Sequence, residues 1–453
     1  MINLEFTERW NSGRLGALFF ENKEKNNDFN SDAAYQFYFG RIIPKKKFEL
    51  TPDLIETYKK YTLIKPGDIM INGLNLNYDF VTQRVGIALE PGIITSAYLS
   101  IRARKEINTQ YYCFLLKTVD AQKMFHGLGT GIRKTLSFSD IKGLEIPVPP
   151  IEEQNKMVMY LNWKLSKIHE LLKVKKEQLK ELKEFRCATI DEAIFHGIKS
   201  DAKTKESNVY WLGNVPEDWE VTPLKRVCSV GASVSEIIKS FSDDDKVPFI
   251  PMENVSVTGD VDYSILRPLM EVKSGYSSFA KNDVVIAKIT PCFENGKGAA
   301  LTDMPCEVGY GTTEFINLRS SDRILPEFLY RITNSRTFRI LGEKVMTGSA
   351  GQKRIPTSYV KNFTCGIPSI NEQIEIIDYL GEKLIEIDNA IDIISKEIEV
   401  LKEYKVKLIA DVVTGQIDVR DIEVPDFEYV EETEDTSDDD ELDEDVEAND
   451  EEV

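Results

Sequence analysis

The chain states one pattern twice, and that repetition limits what it can fold into. Ile146-Pro-Val-Pro-Pro-Ile-Glu-Glu-Gln154 leads into a long charged stretch, and Cys365-Gly-Ile-Pro-Ser-Ile-Asn-Glu-Gln373 leads into another. The offset of 219 residues that carries Ile151 onto Ile370 also carries Glu153 onto Glu372, Gln154 onto Gln373, Tyr160 onto Tyr379 and Ile190 onto Ile409. A period this long is not a solenoid unit, which runs to tens of residues. It is a duplicated module of a domain plus a helix, and it predicts two-fold pseudosymmetry within one chain. A monomer built this way can read a two-part target as a symmetric dimer does.

The two charged stretches predict long helices. Ser369 with Glu372 three residues on is a capping-box signature, and Pro149-Pro150 precedes the first helix. Leu380, Leu384, Ile387, Ile391, Ile394, Ile398 and Leu401 follow steps of four and three, and Leu161, Leu165, Ile168, Leu172, Leu179 and Leu182 occupy equivalent places. That period marks a coiled-coil seam, and the natural partner of each helix is the other. From Leu380 to Leu408, at 1.5 Å per residue, the seam runs roughly 43 Å, against about 34–36 Å for one turn of DNA. Run antiparallel, the pair would hold two reading heads at a fixed separation.

Outside the long helices the pattern is mixed α/β. Gly67–Ile71, Arg84–Leu89 and Ala97–Ile101 predict short strands before a helix over Gln110–Phe125. The second half repeats the order, with strands at Asn282–Ile286 and Glu314–Leu318 and a helix over Pro326–Leu341. The chain thus divides into a first domain (1–145), a long helix (146–198), a polar linker (199–208), a second domain (209–366), a second long helix (367–417) and a tail (421–453). The domains match only in outline, whereas the helices match residue by residue. Domains that face different targets and helices that share one task would diverge in this way.

Charge has to be located before it informs. The 453 residues carry a net charge of −20, yet 19 acidic and no basic residues lie between Asp421 and Val453. The rest is nearly balanced and can carry a basic face. The tail is of low complexity and predicts disorder. It is either a solubility segment or a competitor of DNA phosphates; in the second case deleting 421–453 raises low-salt affinity for random DNA. Six scattered cysteines form no Cys-x-x-Cys pair and read as reduced thiols, and no apolar run of membrane-spanning length or basic-then-apolar leader pattern occurs. These features predict a cytoplasmic protein.

The linker gives way to Trp211-Leu-Gly-Asn-Val-Pro-Glu-Asp-Trp219. This opening, the two Pro…Glu-Gln helix starts, the duplicated helix and domain, and the Thr414-Gly415 close together resemble the specificity subunits of type I restriction-modification systems, up to about Arg420. The resemblance implies two target-recognition domains, each reading one half of a bipartite double-stranded DNA site. Their helices would act as a ruler for the spacer and as docking surface for two methyltransferase subunits, with restriction/translocase subunits completing a prokaryotic complex. It implies a non-catalytic chain that binds no cofactor, while its partners use S-adenosylmethionine, ATP and Mg. Two departures stand out: the first module lacks the Trp-Leu-Gly opening, and the acidic tail lies outside the pattern.

The residues agree in carrying no chemistry of their own. No Asn-Pro-Pro-Tyr-like turn, Gly-x-Gly-x-x-Gly loop or Walker motif is present, and His126, His169 and His196 are too scattered for a metal pair. Asp262 with Glu271-Val-Lys273 has only the loose outline of a nuclease carboxylate set.

Candidate DNA contacts fall in loops. Gly129-Thr-Gly-Ile-Arg133-Lys134 and Gly348-Ser-Ala-Gly-Gln-Lys353-Arg354 combine close-approach glycines with phosphate-neutralising cations. Asn72, Asn75, Asn77, Gln83 and Arg84 in the first half, and Lys288, Asn295, Lys297 and Thr312 in the second, offer side chains that can read base edges. Against this, asparagine is a common turn residue, and a charged loop is often only solvated. The lysines of the first helix interleave with glutamates, as on a solvated coiled-coil flank. Trp211 and Trp219 read as packing anchors. The competing function is an assembly scaffold that brackets partners without reading sequence. A further variant is a single-complex restriction system, which would differ in the partner and not in this chain.

Overall fold

The computed structural model describes residues 5–76, 83–128, 135–349 and 351–430. The chain forms two compact units that do not follow its linear order: Met1–Lys176 with Lys396–Val453, and Glu177–Ser395. Each domain therefore packs with a portion of both long helices.

In the first unit, Phe19–Glu21, Leu99–Ala103, Ile69–Ile71 and Val85–Ile87 form a four-stranded antiparallel sheet in that spatial order. A second sheet orders Arg41–Pro44, Ala34–Tyr38, Gly92–Ile94 and Thr62–Ile64, with its one parallel pairing between Ala34–Tyr38 and Gly92–Ile94. Asn11–Arg14 pairs with Glu145–Val148, which delivers the chain to the first long helix. Ile69, Met70 and Ile71 are all fully buried, the mark of a strand covered on both faces.

The second unit repeats this topology strand for strand. Cys228–Val230, Phe315–Ser320, Asp283–Ala287 and Gly298–Ala300 form one sheet; Leu266–Pro268, Lys246–Ile250, Val308–Gly311 and Ser277–Ala280 form the other. The parallel pairing recurs, between Lys246–Ile250 and Val308–Gly311. Glu220–Pro223 pairs with Thr364–Ile367 ahead of the second long helix. The likeness of the two domains is closer in fold than their sequences suggest.

Each sheet-core carboxylate recurs as well. Asp68 takes a two-pronged ion pair from Arg102, with Nε at 2.7 Å from Oδ1 and Nη2 at 2.7 Å from Oδ2. Asp283 takes the same from Arg319, at 2.7 and 2.9 Å. Both carboxylates also cap a turn, accepting from the backbone N–H of Lys65 and of Ala280 respectively.

Two local expectations change. The helix expected over Pro326–Leu341 is two helices, Pro326–Asn334 and Arg336–Glu343. Ser335 stands between them with ψ 148°, and its hydroxyl accepts from the Phe338 N–H at 3.2 Å. A serine that offers an N-cap competes with helix continuation, and here the cap wins. Within the polar linker, Thr204–Glu206 forms a strand against Asn214–Pro216.

The long helices run over Ile151–His196 and Ile370–Val413. They pair antiparallel: Lys175 meets Glu397 at 2.7 Å in the first unit, and Arg186 meets Asp388 at 2.6 Å in the second. In the first unit Leu161, Leu165, Ile168, Leu172 and Ile398 are buried, with Leu401 half-buried. In the second, Leu380, Leu384 and Ile387 are buried, while Leu179, Leu182, Ile391 and Ile394 are half-buried. The second unit has a core that runs from Ile194, Phe195, Leu380 and Leu384 on the helices to Val284, Leu318 and Phe338 in the domain. In the second unit the helix portions are thus part of the domain core and more than a spacer.

The tail starts as a held segment. Val430 donates its N–H to Ser166 Oγ at 3.1 Å, and its carbonyl lies 2.9 Å from His169 Nδ1. Residues 431–453 lie outside the described residues.

Candidate nucleic-acid interface

In the second unit, the strand Asp283–Ala287 leaves the sheet into a loop that returns at Gly298–Ala300. A second loop, before Ile355, locks onto it. Ile355 N–H donates to the Lys288 carbonyl at 2.9 Å, Thr290 N–H donates to the Lys353 carbonyl at 3.0 Å, and Thr347 and Arg354 exchange backbone bonds at 3.0 and 2.8 Å. A third turn, Thr312 to Glu314, joins them: Lys288 N–H donates to the Glu314 carbonyl at 2.8 Å. Lys288, Thr312, Lys353 and Arg354, distant in sequence, therefore share one loop cluster. Asn295 is exposed in the same loop, and Lys297 is half-buried with Nζ 3.2 Å from the Met252 carbonyl.

Glu314 is the member that sequence reasoning missed. Its carboxylate accepts from Arg354 Nε and Nη2, both at 3.0 Å. That pairing, helped by the charge of Lys288, holds the Glu314 carboxyl below its ordinary range. The only sequence signal was a carboxylate at the start of a predicted strand.

The first unit builds the corresponding cluster on the same frame. Leu136 N–H donates to the Gly73 carbonyl at 2.9 Å, as Ile355 does to Lys288. The approach is close enough that a Cβ on Gly73 would sit 2.7 Å from the Leu136 carbonyl oxygen. Asn72 accepts the Leu74 N–H on its side chain at 3.2 Å, and Asn75 takes a left-handed φ of 51°, so both shape the turn. Gln83 is exposed. Arg84 departs from its expected place among the base readers. Its side chain is buried, with Nη1 donating to the Asn72 and Leu74 carbonyls at 3.0 and 2.8 Å, while its N–H meets Asp120 at 2.6 Å. An arginine turned inward to close its own loop does not present a fork to a duplex. Asn77, Arg133 and Lys134 lie outside the described residues.

Comparison with known proteins decides the family. Residues 8–184 and 216–403 both match the family described as type I restriction modification DNA specificity domain. The chain belongs to this family. It is 39% identical over 165 residues to the EcoAI specificity subunit of Escherichia coli, a stretch covering 36% of this chain and 27% of that protein. The matched stretch thus spans about a quarter of that relative's length. The MjaVIII specificity subunit of Methanocaldococcus jannaschii is 25% identical over 438 residues, covering 93% of this chain and 96% of that one. A solved chain from work on complex assembly and conformational transition in a type I R-M system shares the fold. Its TM-score is 0.66 at 14% identity, over 91% of this chain and all of that one.

The matches place one specificity domain on each repeat, and the helix starts show how each is fastened. Gln154 accepts the Asn108 N–H at 2.9 Å and donates to the Pro149 carbonyl at 2.8 Å. Gln373 accepts the Leu325 N–H at 2.8 Å and donates to the Arg323 and Pro368 carbonyls at 2.9 and 3.0 Å. Both amides are buried, and each pins a loop of its domain to the first turn of its helix. Gly197 and Gly415, with φ of 82° and 75°, end the two helices in the left-handed conformation that favours glycine. A Cβ on Gly415 would lie 2.8 Å from the Trp10 ring, and one on Gly197 would lie 3.3 Å from Trp219. Trp10 is therefore the first unit's counterpart of Trp219. Trp211 stacks on Phe363 with ring centroids 4.9 Å apart.

Proposed function

We propose that this chain is the DNA-reading subunit of a type I restriction-modification complex, and that each domain reads one half of a bipartite site. What supports the reading is the loop cluster on the sheet's central strand, built twice on one topology but with different side chains. Conserved framing with altered loops gives two different base preferences from one scaffold. The antiparallel helices serve as the ruler for the unspecified spacer and as docking surface for two methyltransferase subunits. Restriction/translocase subunits complete the assembly.

The chain itself is non-catalytic in this reading. Adenine methylation with S-adenosylmethionine, and ATP- and Mg-dependent restriction, belong to the partners, in the cytoplasm of a prokaryote. No helix among the described residues is long and apolar enough to cross a membrane. Modified-base sequencing of genomic DNA with and without the gene, its methyltransferase partner co-expressed, tests the proposal. The expected result is an asymmetric two-part methylated motif that vanishes on deletion. An unchanged methylome with an active partner would leave only the scaffold reading.

A further inference from the structure

The Glu314–Arg354 pair is built in a way that a phosphate contact does not require. A cation that only neutralises backbone charge gains nothing from a carboxylate beside it, because the carboxylate repels the phosphate. Here the carboxylate takes the side edge of the guanidinium, through Nε and Nη2. The backbone of Arg354 is fixed by its exchange with Thr347, and Nη1 donates to the Gln352 carbonyl at 3.2 Å. None of these bonds uses the second proton on Nη1 or on Nη2. The Arg354 side chain is 42% exposed and Glu314 26%, so the pair faces solvent and is not core.

A guanidinium clamped along its side edge can turn its end edge, Nη1 and Nη2, to a ligand as two parallel donors, the exposed 3.2 Å bond from Nη1 to Gln352 being the one that yields. That edge matches guanine O6 and N7 in the major groove. Clamping also removes rotamer freedom before binding, which sharpens discrimination. We propose that Arg354 reads a guanine in the half-site of the second domain, and that Glu314 is the positioning residue that aims it. The inference rests on the DNA-reading function above. The first unit cannot use the same device: its corresponding turn, between Gly92–Ile94 and Leu99–Ala103, carries Thr95, Ser96, Ala97 and Tyr98 and no carboxylate. The device therefore belongs to one half-site only.

The test uses the full chain with its methyltransferase partner and duplexes carrying the wild-type methylation motif, each base pair substituted in turn. Wild type should prefer guanine at one position of one half-site by roughly ten- to hundredfold. Arg354→Ala and Arg354→Lys should flatten that position to within about twofold and leave the other half-site unchanged. Glu314→Gln should weaken the preference to an intermediate value, with overall affinity kept. A uniform loss across all duplexes with a smaller salt slope would make Arg354 a phosphate contact and overturn the inference; so would unchanged ratios at every position. If Arg354→Ala fails to fold, the Lys and Gln variants decide by the same criteria. Wild type that discriminates at no position would instead refute the DNA-reading function itself.

Discussion

Trp10 and Trp219 make the same bond in the two units: each indole N–H donates to a glutamate in the first turn of a long helix, Glu153 at 2.9 Å and Glu372 at 3.1 Å. The rings are buried, and each closes over the glycine that ends the other helix within its unit. Trp219→Phe keeps most of the apolar body and removes the donor. It should lower stability by about 1 kcal/mol, whereas Trp219→Ala should cost about 3–5 kcal/mol. Denaturant melts of both variants check the ranking; a Trp219→Phe variant as stable as wild type would mean that the indole N–H contributes nothing.

Gln373 has its amide oriented by three partners, one donor and two acceptors. Gln373→Glu keeps the shape but sets a carboxylate oxygen against the Arg323 and Pro368 carbonyls. Two buried acceptors then face each other without a proton, and the glutamate must also lose its hydration. The expected loss is at least about 2 kcal/mol and larger than for Gln154→Glu, where one carbonyl is affected instead of two. Thermal denaturation of the two variants measures the difference.

The helices and the doubling were legible because their signals are local. Steps of three and four place Leu380 and Leu384 on one face whatever surrounds them. Arg84 was misplaced because exposure is not local: a cation next to a turn can project outward or fold back, and the carbonyls of Asn72 and Leu74 decided it. Glu314 was invisible because its partner lies 40 residues away in another loop. Trp10 carries no local signal because its partner, Glu153, lies 143 residues away.

Asp283 is fully buried against Arg319, which is one-third exposed. Asp283→Asn presents an amide N–H₂ to the guanidinium and leaves that cation without its counter-charge. Partial exposure of the arginine lets water recover part of the loss, so the cost should be about 3 kcal/mol, at the lower end for a broken buried pair. Asp68→Asn should cost less, since Arg102 keeps a second counter-charge in Glu24 at 2.9 Å. Urea titration of the two variants tests whether the units are equivalent in energy as well as in topology.

Asp418 joins Arg9 at 2.6 Å and Arg420 at 2.7 Å, and these cations hold its carboxyl well below the usual range. A depressed folded pKa contributes stability that is present above the unfolded value and lost as pH falls through the folded one. Asp418→Asn should therefore cost stability near pH 6, and the gap should narrow below about pH 4. The groups are half-exposed, so the gap should be under about 1 kcal/mol. A gap that widens in acid would contradict the assignment.

The tail divides into a held part and a charged part, and truncation separates their effects. Ile422, Val424, Phe427 and Val430 are half-buried, and Val430 covers Ser166 and His169 on the first long helix. A chain ending at Val430 keeps the Val430 bonds to Ser166 and His169 and should melt as wild type does. Ending it at Arg420 removes these half-buried apolar side chains and the Val430 bond to the Ser166 hydroxyl, and should lower stability by about 1–3 kcal/mol. Low-salt binding to random DNA reads the other effect. Removing residues 431–453 takes away 15 acidic groups and should already raise affinity. The rise should shrink with added salt, as screening removes the competition between carboxylates and phosphates. Unchanged affinity in the shorter truncation would leave the acidic run as a solubility segment.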